Sequence, residues 1–262
     1  VPGASAAFDT ANQSINFSVP QIYIDRDARG YVDPKYWDDG INAGAINYTA
    51  NLYRSSSKGG ASRLNGYVGV NASANFGSWH LVHQSSFNWA EGQRRTYQTA
   101  ANYLQHDVPE LMSQLYVGDF NTSGNLLDSV SLRGAGFVSD ERMLPQSLRG
   151  YAPTVKGMAE TNARVVIKQR GYILLDTTVA PGPFSIDDLY PTGFGGDLDV
   201  EIHEADGRVK RIVVPYAAVP QLLRAGQSRW EVAAGKVRQP GRGNTPLVGT
   251  ATYQHGVSDY IT

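Results

Sequence analysis

Between Gly40 and about Tyr103 the chain alternates apolar and polar residues with a period of two, the spacing at which side chains fall on opposite faces of a β-strand. In the stretch from Ile46 to Leu52, one face carries Ile46, Tyr48, Ala50 and Leu52, and the other Asn47, Thr49 and Asn51. The next stretch sets Leu64, Val68, Val70, Ala72, Ala74 and Phe76 against Arg63, Asn65, Tyr67, Asn71, Ser73 and Asn75. Its phase holds for about 13 residues, against about five or six in an ordinary soluble strand. A third stretch sets Trp79, Leu81, Phe87 and Trp89 against His80, Gln84, Ser86 and Asn88, interrupted by His83 and Ser85. A fourth sets Tyr97, Ala101 and Tyr103 against Gln98 and Asn102.

The connections alternate in length. Ser55–Gly60 is a flexible polar loop, Asn75–Ser78 a tight turn, and Ala90–Arg94 is longer again. Long strands with alternately long and tight connections are the pattern of a membrane β-barrel, whose averaged composition is polar although one face is not. The polar face here is Asn, Ser, Thr and Gln; only 18% of the residues are charged. A soluble antiparallel sheet with one wet face shares part of the pattern.

The balance of charges excludes some functions. With 23 Lys and Arg against 24 Asp and Glu, the chain lacks the basic surplus needed to neutralise a phosphate backbone, so nucleic acid is not expected as a partner. The absence of cysteine excludes disulfides and thiolate metal ligands or nucleophiles. No apolar run approaches the roughly 20 residues of a spanning helix. Both ends read as cut, so the chain is expected to be a piece of a longer protein.

After two less regular strands, Met112–Gly118 and Ser129–Phe137, the style changes. Prolines crowd the stretch after Met143, and the strands become short and β-branched: Ala163–Ile167, Ile173–Leu175, Leu198–Ile202 and Val209–Val214. Gln169-Arg170-Gly171, Ala205-Asp206-Gly207 and Pro181-Gly182-Pro183 are turn signals. Together they describe a compact β-sandwich. Long strands return at Trp230–Val237 and Leu247–Tyr253, so the sandwich is expected as an insert after six long strands. An even number of crossings returns the chain to the side on which it began, where a soluble insert need not cross lipid.

These residues resemble a known family. Leu132-Arg133-Gly134-Ala135, Ser139–Pro145, Leu148–Pro153, Val179–Leu189, Gly196-Asp197-Leu198, Glu204–Gly207 and Val214-Pro215-Tyr216 resemble the outer-membrane fimbrial ushers of the chaperone–usher pathway. Val19-Pro20-Gln21, Arg29–Val32 and Trp37–Ala43 resemble the junction between the usher's periplasmic N-terminal domain and its first barrel strand. The resemblance implies an all-β chain: part of a transmembrane barrel of about two dozen strands, with an inserted β-sandwich plug. It implies residues 1–39 as the end of the N-terminal periplasmic region, 40–147 as barrel strands one to six, 148–225 as the plug, and 226–262 as strands seven and eight. It also implies outer-membrane localisation, with the plug in the barrel lumen or on the periplasmic side. The expected partners are periplasmic chaperone–pilin complexes, the pilus fibre in the pore and outer-membrane lipid. No cofactor, metal or covalent chemistry is expected, since fibre growth proceeds by strand addition between pilin subunits.

The residues themselves offer little to an enzyme. His80 and His83 are three apart on a strand and face opposite sides. His203-Glu204 lacks a second histidine, and Asp25–Gly30 resembles a calcium loop only at its first positions. Gly134–Ser139 lacks the final glycine of a dinucleotide loop. Asp187-Asp188 is the most enzyme-like pair, with tyrosines and tryptophans to line a sugar cleft, so a soluble carbohydrate-active or carbohydrate-binding β protein is the alternative. For a pore, the expected gating or hinge residues are Arg133, Asp140, Glu141, Arg142, Arg149, Gly150, Arg224 and Gly226, with Met143–Tyr151 and Gln221–Gly226 as the connecting segments.

Overall fold

A computed structural model describes residues 1–56, 62–193, 195–217, 221–239 and 245–262. Most of the expected Ser55–Gly60 loop and the centre of the Gly- and Pro-rich loop before Leu247 lie outside the described residues. Sixteen strands and several single-turn 3-10 segments make up the regular structure among the described residues, and no helix there is long and apolar enough to cross a membrane. The chain divides into two compact units, passing between them after Val32, Met143, Ser228 and Tyr253.

The first unit comprises Val1–Val32, Leu144–Ser228 and Gln254–Thr262. β1 (Ser5–Asp9) and β2 (Ser14–Ser18) form a hairpin. β9 (Val155–Ala159) pairs with β12 (Gly182–Ile186). β10 (Ala163–Gln169), β11 (Tyr172–Val179), β13 (Leu198–His203) and β14 (Val209–Val214) form a second sheet in the order β11-β10-β13-β14. The two sheets share one core: Val155, Phe184 and Ile186 from one, and Val165, Ile167, Leu198, Val200 and Ile202 from the other, all essentially inaccessible to water. Each such side chain contributes about 1.5–3 kcal/mol on burial, which sets the alternating pattern of β13 and fixes its register. The Pro181-Gly182-Pro183 signal does not close a hairpin; it moves the chain from β11 in one sheet to β12 in the other.

The second unit comprises Asp33–Met143 and Arg229–Tyr253, and its backbone is one antiparallel sheet. The strands are β3 (Ala43–Ser55), β4 (Arg63–Phe76), β5 (Trp79–Ala90), β6 (Thr96–Val108), β7 (Ser113–Asn121), β8 (Ser131–Ser139), β15 (Ser228–Val237) and β16 (Leu247–His255). Their order, β16-β15-β8-β7-β6-β5-β4-β3, runs as a meander broken once, between β8 and β15, where the whole of β9 to β14 is inserted. Long antiparallel strands with an inserted sandwich are the expected all-β class.

The alternation read from sequence is the pairing seen. Ile46 lies opposite Ala72, Tyr48 opposite Val70 and Ala50 opposite Val68 on one face, while Asn47 faces Asn71 on the other. That apolar face is open: Ile46, Tyr48 and Leu52 are 73%, 78% and 66% exposed. His80 and His83 fall on opposite faces as expected. His80 Nδ1 contacts Asn75 Oδ1 at 3.0 Å, whereas His83 sits among Asn102 and Ser85 at 3.2 and 3.1 Å.

One facial assignment is corrected. Tyr97, Ala101 and Tyr103 do not share a face, because Gln84 pairs with Ala101 but Ser85 pairs with Thr99. The extra residue, Ala100, is a β-bulge, and it reverses the phase of β6. Tyr97 therefore joins the apolar face, while Ala101 and Tyr103 join the polar one.

Candidate functional site

In the first unit, the two connecting segments are tied together by one buried arginine. Arg224, 4% exposed, donates from Nε to the Gly150 carbonyl (2.9 Å), from Nη1 to Asp187 O (2.8 Å) and from Nη2 to Leu189 O (2.6 Å). Its partners are backbone oxygens rather than carboxylates, so the planar guanidinium serves as a three-way brace. Burial pushes its pKa down, and the nearby Tyr216, Asp188, Asp187 and Asp259 act the other way. Gln227 Nε2 adds a second tie, to Leu148 O (3.0 Å).

Gly150 lies at φ 66 and Gly226 at φ 83, in the left-handed region that a side chain adopts only with strain. The Gly226 N–H donates to Gly256 O (2.8 Å), and Tyr151 Oη donates to Asp259 O (2.7 Å). Burial pushes the Tyr151 phenol up to about 12. Arg149 donates from Nε to Leu144 O (2.8 Å), closing the start of the segment on itself.

A second cluster in the same unit joins residues that are distant in the sequence. Arg29 donates from Nε to Asp188 Oδ2 (2.8 Å), from Nη2 to Oδ1 (3.0 Å) and from its own backbone N–H to Oδ2 (3.2 Å). The Arg29 carbonyl accepts from Ser147 Oγ (2.7 Å), and Gln21 Oε1 accepts from the Ser185 N–H (2.7 Å). Burial opposes ionisation of Asp188, but the hydrogen bonds and charge of Arg29 more than offset it and hold the carboxyl below its ordinary range. Asp187 and Asp188 therefore serve different partners: one offers its backbone carbonyl to Arg224 and the other its carboxylate to Arg29.

The remaining sequence candidates lie in the second unit, in two places. Asp140 and Arg142 pair with each other, and Glu141 pairs with Arg229. Arg142 also reaches Gln114 Oε1 (3.3 Å), which accepts from Tyr116 Oη (2.5 Å). Gln114 Nε2 in turn donates to Asp107 Oδ1 (2.9 Å), and His80 Nε2 lies 3.5 Å from Asp107 Oδ2. This polar chain runs across the end of four strands on the polar face. Arg133 stands apart from it, on the apolar face, paired with Asp119 through Nε (2.6 Å) and Nη2 (2.9 Å).

Asp140, Glu141 and Arg142 thus form one group, and Arg224 with Gly150 another. The cluster of Arg29, Asp188, Gln21 and Ser147 carries a signal only in the Val19-Pro20-Gln21, Arg29-Gly30-Tyr31 and Asp187-Asp188-Leu189 stretches, which sequence order leaves unconnected.

A family model described as outer membrane usher protein matches residues 67–262, and one described as PapC N-terminal domain matches residues 1–52. The outer membrane usher protein HtrE of Escherichia coli K12 is 39% identical over 262 residues, across 100% of this chain and 30% of its own length. MrkC, the outer membrane usher protein of Klebsiella pneumoniae, is 38% identical, across 97% of this chain and 31% of its own. A cryo-EM structure of the E. coli P pilus tip assembly intermediate PapC-PapD-PapK-PapG aligns with a TM-score of 0.55 and 35% identity, over 99% of this chain and 33% of that one. The chain thus spans about a third of the length of the relatives it matches. A family match over most of its residues, together with these identities, shows that the chain belongs to the family of outer membrane usher proteins.

Proposed function

We propose that the chain is part of an outer-membrane pore that receives pilus subunits from a periplasmic chaperone, assembles them and exports the fibre, with the inserted sandwich closing the pore at rest. The observation that carries this reading is the strand order: a meander of long strands with one open apolar face, interrupted after its sixth strand by a compact unit with its own core. A wall open to lipid on one face suits a barrel, and a separately folded insert suits a plug that must move as a body. In this reading residues 40–147 and 226–262 supply barrel strands, 148–225 the plug and 1–39 the approach from the periplasmic domain. PapC, the relative in the pilus assembly intermediate, occurs there with PapD, PapK and PapG, which supports chaperone–subunit complexes as the partners.

The work in this reading is positional and involves no covalent chemistry by the chain's side chains. Asp140, Glu141 and Arg142 act as gating contacts, and the Arg224 brace with Gly150, Arg149 and Gly226 acts as the hinge through which the plug is held. Polar and ionic contacts suit this role, because a bound partner can outweigh them more readily than a wide apolar interface. Reconstitution of the complete usher in vesicles, supplied with chaperone-bound subunits, tests the proposal. Fibre is expected to appear across the membrane; chaperone–subunit complexes that neither bind nor release subunits would overturn it.

A further inference from the structure

The apolar face of the long-strand sheet ends in a basic pocket around Arg133. Following the pairing across the sheet, Ala72, His83, Asn102, Asp119, Arg133 and Lys236 occupy one row. The row shares its face with Ile46, Tyr48, Tyr97, Val117 and Val232, all substantially exposed. A cavity of about 340 Å³ opens beside it, lined by Tyr97, Thr99, Arg133, Lys236 and Arg238 among others.

The charges there do not balance. Asp119, buried, accepts two hydrogen bonds from Arg133 and lies 3.6 Å from Arg238 Nε. Arg238 is fixed in place by donating to Thr99 O (2.5 Å) and Ala100 O (3.2 Å), carbonyls of β6 beyond the end of its pairing with β7. Lys236 is exposed and makes no ion pair among the described residues. Among the described residues, three cations against one carboxylate leave two positive charges at the margin of a surface that otherwise suits hydrocarbon.

We propose that this pocket binds the phosphate-bearing headgroup of a membrane lipid. Lys236 and the outer edge of the Arg133 guanidinium supply donors to the phosphate oxygens, and Arg238 adds positive charge from a braced position. Tyr97 lies where an amphipathic ring meets the headgroup layer, and the neighbouring apolar side chains receive the acyl chains. A lipid is favoured over a free anion because Tyr97, Arg133 and Lys236 share their face of the sheet with the exposed Ile46, Tyr48, Val117 and Val232.

The proposal rests on the reading of the sheet as barrel wall, and the test separates the two. The complete usher is placed in nanodiscs of phosphatidylcholine alone or mixed with phosphatidic acid, and retained lipid is measured by native mass spectrometry. Phosphatidic acid is expected to be retained in preference, with Lys236→Gln lowering the preference about fivefold. Lys236→Arg should keep it, as should Lys156→Gln on the other unit. Equal retention by wild type and Lys236→Gln in an inserted usher would overturn the lipid site alone. Displacement of the lipid by inorganic phosphate at equal concentration would overturn the choice of a lipid. Failure to insert into either nanodisc would overturn the barrel reading and this site with it.

Discussion

Arg29 and Asp188, 159 positions apart, meet through two side-chain hydrogen bonds of 2.8 and 3.0 Å, a third from the Arg29 backbone and a fourth from Arg29 Nη2 to the Asp188 carbonyl (2.6 Å). The contact joins the segment before the first long strand to the inserted sandwich within one compact unit. Arg29→Ala leaves a nearly buried carboxylate without its cation and should destabilise this unit by about 1–3 kcal/mol. The lower end is expected because Arg29 is about one-third exposed and water screens the pair. Hydrogen exchange of the amides in β10 and β13 of the complete usher measures the loss.

The same pair sets a pH dependence. The folded Asp188 lies below its ordinary 3.8, so its contribution is present in full above 3.8 and is lost as pH falls through the folded value. Exchange protection in β10 and β13 should therefore decline on acidification below that point. Asp188→Asn should remove this part of the decline while lowering protection at neutral pH.

Replacing Arg224 by Met keeps the apolar stem but leaves the carbonyls of Gly150, Asp187 and Leu189 without their donor. A loss of about 3 kcal/mol is expected, since each buried oxygen left unpaired costs about 1–3 kcal/mol and part of the set regains water. Protease sensitivity at residues 144–153 and 221–228 should rise before the β10 and β13 core opens. Simultaneous opening of both would show that the brace belongs to the core rather than to the connections.

Gly157 faces the ring of Phe184, whose nearest carbon would lie 2.4 Å from a Cβ placed there. Phe184 is 1% exposed and has no room to withdraw. Gly157→Val should therefore cost about 1–3 kcal/mol by overpacking, measured as a lower unfolding temperature.

Val70 and Asn71 are adjacent on β4 but face opposite sides of the sheet. If the apolar face meets lipid, Val70→Arg should impair bilayer insertion by about 2–4 kcal/mol, while Asn71→Arg should cost far less. Folding into lipid vesicles, followed by heat-modifiable gel mobility, compares the two.

Which parts of this were legible in the sequence follows from how local each signal is. The faces of β3 and β4 could be read because strand alternation is a property of neighbours: Ile46, Tyr48 and Ala50 declare a face without reference to any other strand. The phase of β6 could not, because nothing in the identity of Ala100 marks it as a bulge; only its pairing with β5 does. Arg224 stands out in the sequence as a charge in a connecting segment, but its three carbonyl partners come from segments 35 to 74 residues away. Arg29 and Asp188 stand in separate stretches, one within Asp25–Gly30, which resembles a calcium loop only at its first positions, and the other as half of an acidic pair. Their union is a tertiary event with no local signature.

The most direct measurement is planar-bilayer conductance of the complete usher with residues 148–225 removed and the flanking strands rejoined by a short flexible linker. The account predicts that the intact usher is mostly closed and that the deleted form conducts as a wide, persistently open channel. A deleted form that inserts normally and stays closed would contradict it.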